Sequence, residues 1–352
     1  MLTSQMIKEY ALKLGADKVG IGNIERWKTA PPETSPLSIM PDAKSVIVFI
    51  RRIPRGSYRG IEEGTNWGSY SIFGYTGINE MLRGIGIPLA QYIEHNGYEA
   101  AMLSSCSTIR EIGARGNKVD PDKPRREVTV HHRISGVLAG VGEIGFSKVF
   151  LTEEFGPRQR IGVLLTDAEL EPDPLVEPHV CDHCTLCARA CPGAMPVDKT
   201  VKCELEGIKY EWTDIDIGKC KLAHFGLDKK TSPFLAKRFP GLNMKLNEQT
   251  VTWREAHDLG FAFFPTMPET QALYQFSSYM AICGARGCIR ACMKHLENRG
   301  RLKNKFENQV FASQKYWELS DEPAPNDHQG FIFDPDNDNG ELTPFQQAPS
   351  WY

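Results

Sequence analysis

The chain has 352 residues, enough for two domains or for one large domain carrying an inserted module. A formal net charge of −3 at pH 7 excludes a strongly basic nucleic-acid footprint. The longest apolar run, residues 46–50, is far shorter than the ~20 residues a membrane-spanning helix needs, so no membrane span is expected.

Residues 7–14 carry apolar side chains at helical spacing and end at Gly15-Ala16-Asp17. Residues 18–24 and 43–50 read as buried strands, the second dense in Val and Ile, with a Pro- and Ser-containing loop over 31–41 between them. Arg51-Arg52 closes that strand with no apolar segment after it, and the opening residues read as an amphipathic helix, so no export signal is expected. Residues 52–71 are rich in Gly, Tyr and Arg with little hydrophobic period, which reads either as a solvated loop or as one lining a site. A second amphipathic helix over 79–94 and a strand over 99–103 complete an alternation typical of a layered α/β domain.

A charged surface loop, 117–126, precedes the block His131-His132-Arg133-Ile134-Ser135-Gly136, which continues through Gly140, Gly142, Glu143 and Gly145. Such glycines serve either tight packing or a ligand cradle, and no strand precedes them as a dinucleotide fingerprint requires. Residues 148–153 and 160–167 read as strands joined by a turn at 155–158, and 168–178 as an acidic, Pro-containing linker.

The densest signal follows: Cys181, Cys184, Cys187 and Cys191, the last directly before Pro192. Two-residue gaps wrap three thiolates round one iron–sulfur cube, and the three-residue gap sends the fourth thiolate to a second cube, as in bacterial ferredoxins. A zinc site would need four ligands in two separated pairs, which this spacing does not offer. Ten cysteines without a secretory segment place the chain in a reducing, cytoplasmic setting where thiols serve metal. After a helix expected over 268–282 comes a looser motif, Cys283, Cys288 and Cys292. By ferredoxin pseudo-symmetry one [4Fe–4S] cluster takes Cys181, Cys184, Cys187 and Cys292. The other takes Cys191, Cys283, Cys288 and either Cys203 or Cys220, leaving one of that pair and Cys106 over. Beyond residue 301 the chain is a polar tail.

Four blocks follow one another in an order and spacing that resemble corrinoid-dependent reductive dehalogenases and epoxyqueuosine reductases. They are Ala139-Gly140-Val141-Gly142-Glu143-Ile144-Gly145, Leu151-Thr152-Glu153-Glu154-Phe155-Gly156-Pro157, Leu165-Thr166-Asp167-Ala168-Glu169-Leu170 and the cysteine run. The Trp212, Asp216, Lys219-Cys220 stretch resembles the dehalogenase segment bearing an isolated cluster ligand, which favours Cys220 over Cys203. The resemblance implies a nitroreductase-like, corrinoid-binding α/β domain (1–175) and a ferredoxin-like double [4Fe–4S] domain (176–300, with an insertion at 221–282), then a tail (301–352). The chain departs from epoxyqueuosine reductases in having no aspartate over 126–129 and no basic surface for tRNA. It departs from dehalogenases in its long connection between cysteine motifs and in ending Cys292-Met293 rather than Cys-Pro.

The implied activity is that of a cytoplasmic oxidoreductase. Reduced ferredoxin or flavodoxin would feed two [4Fe–4S] clusters, which reduce cobalamin for removal of a group from a small organic substrate. Arg160 matches the family's basic residue, and Tyr58, Tyr70, Tyr75 and Tyr98 are the candidate proton donors, of which Tyr98 is carried forward with Arg160 as catalytic. His131, His132, Gly140, Gly142, Glu143 and Gly145 are expected at the cofactor, and His183 beside a cluster as a hydrogen-bonding neighbour. The alternatives are an epoxyqueuosine reductase-type tRNA-modifying enzyme, and a non-catalytic double-cluster carrier or corrinoid-reducing protein.

Overall fold

Residues 46–50 are buried on both faces of one strand, and the rest of the N-terminal half is layered around it. The computed structural model describes residues 2–63, 66, 68–103, 118–124, 128–228, 246–248, 250–263, 281, 283 and 286–308. Residues Met1–Leu319 form one compact unit, and Ser320–Tyr352 a second that lies outside the described residues.

After helix α1 (Ser4–Lys13), capped by the Thr3 hydroxyl, come strands β1 (Lys18–Asn23) and β2 (Ser45–Arg52). Helix α2 (Arg59–Glu63), helix α3 (Gly77–His95) and strand β3 (Ala100–Met102) follow. Then come helix α4 (His132–Leu138), the short strands β4 (Glu143–Ile144) and β5 (Phe150–Leu151), and the long β6 (Gln159–Thr166). The main sheet runs β1-β2-β6-β3 with every pairing antiparallel. Alternate residues serve opposite layers, as the two-residue period of a strand requires. Ile47, Phe49 and Leu164 pack against Ile7, Ala11, Leu82 and Ile85 of α1 and α3. Val46, Val48, Ile50 and Val163 pack against Val137, Leu138 and Val141 from α4 and the turn after it.

Three expectations change. Of the strand expected over 148–153, Phe150 and Leu151 pair with β4, and Thr152 makes an isolated bridge to Gly156. Residues 52–71 are not a solvated loop: a 3₁₀ turn (Arg55–Tyr58), α2 and a π-helical turn (Tyr70–Thr76) bury Tyr58, Ile61, Tyr70 and Tyr75 against Ala281 and Met293. Three helical geometries in succession leave no single hydrophobic period to detect. A hairpin with no sequence forecast, β7 (Thr200–Leu205) and β8 (Ile208–Thr213), turns at Glu206 and Gly207, both at positive φ. The helix expected over 268–282 and most of the 221–282 insertion lie outside the described residues.

The cysteine-bearing half contributes α5 (Leu186–Ala190), α6 (Ile217–His224), capped by Asp216, α7 (Trp253–Phe263) and α8 (Cys288–Asn298). Helix α8 is fastened to the α2 region by two ion pairs. Arg290 donates to Glu62, with Nε to Oε2 at 2.5 Å and both side chains almost wholly buried. Arg55 clasps Glu297 at 3.1 and 2.8 Å. Among the described residues no helix is long and apolar enough to cross a membrane.

Removing Glu62 takes a buried carboxylate partner from the Arg290 guanidinium, so Glu62→Ala is expected to cost about 3–5 kcal/mol in urea unfolding. Glu63→Ala, which breaks the exposed pair with Arg59, should cost less than about 1 kcal/mol by the same measurement.

Candidate iron–sulfur centre and adjoining polar pocket

The cysteine loop turns tightly because His183 and Thr185 both adopt left-handed backbone conformations, φ 54° and 61°. That winding faces Cys181, Cys184 and Cys187 onto one hollow, and the first half of α8 brings Cys292 to its wall. Gly145 and Phe146 complete the lining, and the Phe146 N–H donates to Cys181 Sγ at 3.3 Å. Burial and the neighbouring Cys181 and Cys184 push the Cys187 thiol up to about 11. Burial and the other three sulfurs of this outer set push Cys292 well above its ordinary range.

A second, inner set gathers behind the first. Burial, then the sulfurs of Cys288, Cys220 and Cys191, raise the Cys283 thiol. Burial with Cys220 and Cys191 does the same for Cys288, and burial with Cys191 pushes Cys220 up to about 11. The Ala194 N–H donates to Cys191 Sγ at 3.3 Å. Cys203 stands apart on β7, where burial raises its thiol and Lys148 partly offsets the shift. Cys106 lies outside the described residues. Cys288 and Cys292 sit one helical turn apart on α8, so a single helix contributes to both sets.

Around the outer set, Asp182 accepts from His295 Nε2 at 2.9 Å and from Arg299. Its partial burial works the other way, yet His295 and Arg299 hold its carboxyl below the usual range. Asp182, Cys184 and His295 bring their donor atoms within 4.8 Å of one another. His183, expected as the hydrogen-bonding neighbour, is exposed with its ring edge-on to Phe146 and bonds Cys181 through its backbone N–H, while the side chain beside Cys184 and Asp182 is that of His295. Only its placement three residues after Cys292, on the same helix face, could have signalled it.

Beside the inner set lies a partly buried polar cluster. Arg160 Nε donates to Asn79 Oδ1 at 2.9 Å, and its guanidinium lies 4.0 Å from the centre of the Tyr75 ring. Tyr75 meets the His224 ring edge-on at 5.8 Å and Tyr70 at 6.5 Å, and Tyr70 packs on Tyr58 at 5.0 Å. Burial keeps the Tyr70 phenol well above its ordinary range, with Arg160 opposing and Tyr75 and Cys288 adding. Arg133, unassigned by the sequence, donates to the Lys148 carbonyl at 2.6 Å. Burial and Arg160 lower it, while Cys220, Tyr75 and Cys288 pull it back up, which sets it between pocket and inner set.

The remaining sequence candidates are distributed differently. Tyr98 packs in the α1–α3 layer, near the end of β6 where Ala100 pairs with Thr166. Six strand residues, about 20 Å, separate that end from Arg160, so Tyr75 rather than Tyr98 stands beside the arginine. His131 is the residue preceding α4. His132 is buried, Nδ1 3.2 Å from the Ile161 carbonyl oxygen. A side chain at Gly140 would strike the Pro174 carbonyl, one at Gly142 the Leu151 carbonyl and one at Gly145 the Leu151 side chain, so these glycines serve close chain packing. Glu143 is buried, and its carboxylate accepts the backbone N–H groups of His179, Val180 and Cys181.

Burial, chiefly, lowers His132 from 6.5 to about 4; the bond to Ile161 works against the shift and Arg160 adds to it. Below pH 6.5 the unfolded chain takes up a proton that the folded chain refuses until about pH 4. Stability is therefore expected to fall across that window, by on the order of 3 kcal/mol from this one group. Urea unfolding of His132→Gln should show a correspondingly shallower loss between pH 6.5 and 4.

No family model matches the chain. Sixty residues, 16% of the chain, are 46% identical to tetrachloroethene reductive dehalogenases of Desulfitobacterium hafniense and Dehalobacter restrictus. The match spans only about a tenth (11%) of the length of those curated relatives. Among solved structures, a reductive dehalogenase titled for B12-dependent dehalogenation is 20% identical at a TM-score of 0.43, covering 76% of this chain and 35% of that one. The epoxyqueuosine reductase of Bacillus subtilis is 16% identical at 0.44, covering 84% and 82%. By its motifs and by the sixty-residue match, the chain resembles the reductive dehalogenase and epoxyqueuosine reductase family.

Proposed function

We propose that the chain is an oxidoreductase: an iron–sulfur, cobalamin-dependent reductase that passes electrons through two [4Fe–4S] clusters to remove a group from a small organic substrate. The observation that carries this reading is the gathering of eight thiols into two sets of four, the inner one flanked by Arg160 and a tyrosine cluster. Four sulfurs crowded into one desolvated hollow repel one another as thiolates, and a cationic iron–sulfide core at the centre relieves that repulsion. An all-sulfur donor set suits iron–sulfur chemistry and not a hard cation. The corrinoid part of the reading is supported by the sequence blocks and by the dehalogenase match.

When bound, the clusters would supply single electrons and the corrinoid a metal centre that attacks carbon. The chain's own residues supply the rest. Asn79 and the Tyr75 ring hold the Arg160 guanidinium in place, so it can clamp a departing anion. Tyr75, whose ring lies against Arg160, takes the proton-donor role, with the protonated Tyr70 edge-on to it. Burial, with Lys221 and Arg160, pushes His224 down to about 3, and His132 sits at about 4. Both imidazoles are therefore neutral near pH 7 and carry no spare proton, which leaves that task to tyrosine. A reduced ferredoxin or flavodoxin in the cytoplasm is the electron source in this reading, entering at the outer set.

Anaerobic reconstitution with iron and sulfide, followed by cobalamin, tests the reading. Uptake of about eight irons and a base-off Co(II) EPR signal are expected. Eight irons without corrinoid uptake would make the protein an electron carrier, and bound zinc would end the iron–sulfur reading. Cys220→Ser should lose about half of the iron while Cys203→Ser keeps all of it; the reverse result would exchange their roles.

A further inference from the structure

The glycine block was expected at a cofactor ring, yet its acidic residue is committed to a different task. Glu143 is 1% exposed, and its two carboxylate oxygens accept three successive backbone amides. His179 N and Val180 N reach Oε2 at 2.7 and 3.0 Å, and Cys181 N reaches Oε1 at 2.7 Å. Three donors on one side chain suit an ionised carboxylate, which only accepts. Those amides belong to the residues that lead into the cysteine loop and to its first thiol. Three residues further on, the Phe146 N–H points at the same sulfur from the other side. Gly145, the residue before it, packs closely on the Leu151 side chain, where a Cβ would stand 2.6 Å from Leu151 Cδ1.

We propose that Glu143 is the positioning residue of the outer cluster: it anchors the backbone of the first ligand and, as a buried negative charge beside that ligand, lowers the cluster's reduction potential. The inference rests on the cluster assignment above, though not on the corrinoid. Adding an electron to an iron–sulfur cube is opposed by nearby negative charge and favoured by N–H groups directed at its sulfurs. Glu143 supplies the first influence and Phe146 the second, on the same cysteine. Glu143 is attached to the sheet domain through β4, so the α/β half of the chain sets the electrical environment of a cluster whose ligands lie elsewhere in sequence.

The test uses the full chain, reconstituted anaerobically, with EPR-monitored redox titration and iron analysis. Glu143→Gln keeps the shape and removes the charge. It should retain the wild-type iron content and raise one of the two cluster midpoint potentials, leaving the other in place. Glu143→Ala should lose about half of the iron with its far-UV circular dichroism unchanged. Two potentials in Glu143→Gln that coincide with those of the wild type would overturn the proposal, whether or not the alanine variant folds. Wild-type protein that binds eight irons and no cobalamin would remove the proposed reduction and leave this comparison intact.

Discussion

Sulfur crowded against sulfur in a dry interior is the constraint that organises this protein. Burial and neighbouring sulfurs make Cys187, Cys283, Cys288 and Cys292 harder to ionise, and at Cys220 Arg133 and Lys221 offset part of the same effect. Held as thiolates, four sulfurs at such a centre would repel one another. The surroundings are arranged to resist this: two buried ion pairs fasten α8 to the α2 region, Asp182 ties the loop to His295 and Arg299, and Glu143 secures the loop's entry. Their number reflects the work of keeping eight sulfurs where the apoprotein alone would not hold them.

The same arrangement explains how two chemistries share one small body. The outer set borders partly exposed residues such as Leu186 and Arg189, whereas the inner set faces the pocket of Arg160, Arg133 and the tyrosines. Helix α8 spans both, with consecutive cysteines on one face. In the proposed reading, charge entering at the surface side would reach Arg160 and the tyrosines through the second set, and Phe146, Ala188 and Met195 pack as an apolar cluster with cysteines of both sets.

Much of the fold was legible where one rule dominates. The apolar run of β2 and the helical period of α3 were readable because each element obeys a single repeat over many residues. The convergence of Cys181, Cys184 and Cys187 followed from their spacing, the assignment of the distant cysteines from ferredoxin pseudo-symmetry, and the choice of Cys220 over Cys203 from resemblance. What escaped were features made by tertiary context. The buried turns between residues 53 and 76 mix three helical geometries, and the β7–β8 hairpin carries charges on most of its outer positions. The roles of Arg133, His295 and Glu143 depend on which distant backbone each meets, and no local pattern records that. Tyr98 illustrates the converse: a tyrosine near a strand end reads like any other until the sheet order shows which end it occupies.

Each group of sulfurs draws on positions more than ninety residues apart, Cys181 with Cys292 and Cys191 with Cys283. A growing chain emerging from the ribosome thus displays the ferredoxin-like loop long before its last partner has been made. Metal insertion can be completed only after residue 292 has been synthesised and α8 has docked. In the proposed reading, the thiols of the loop stand open to oxidants and to the wrong ion during that interval.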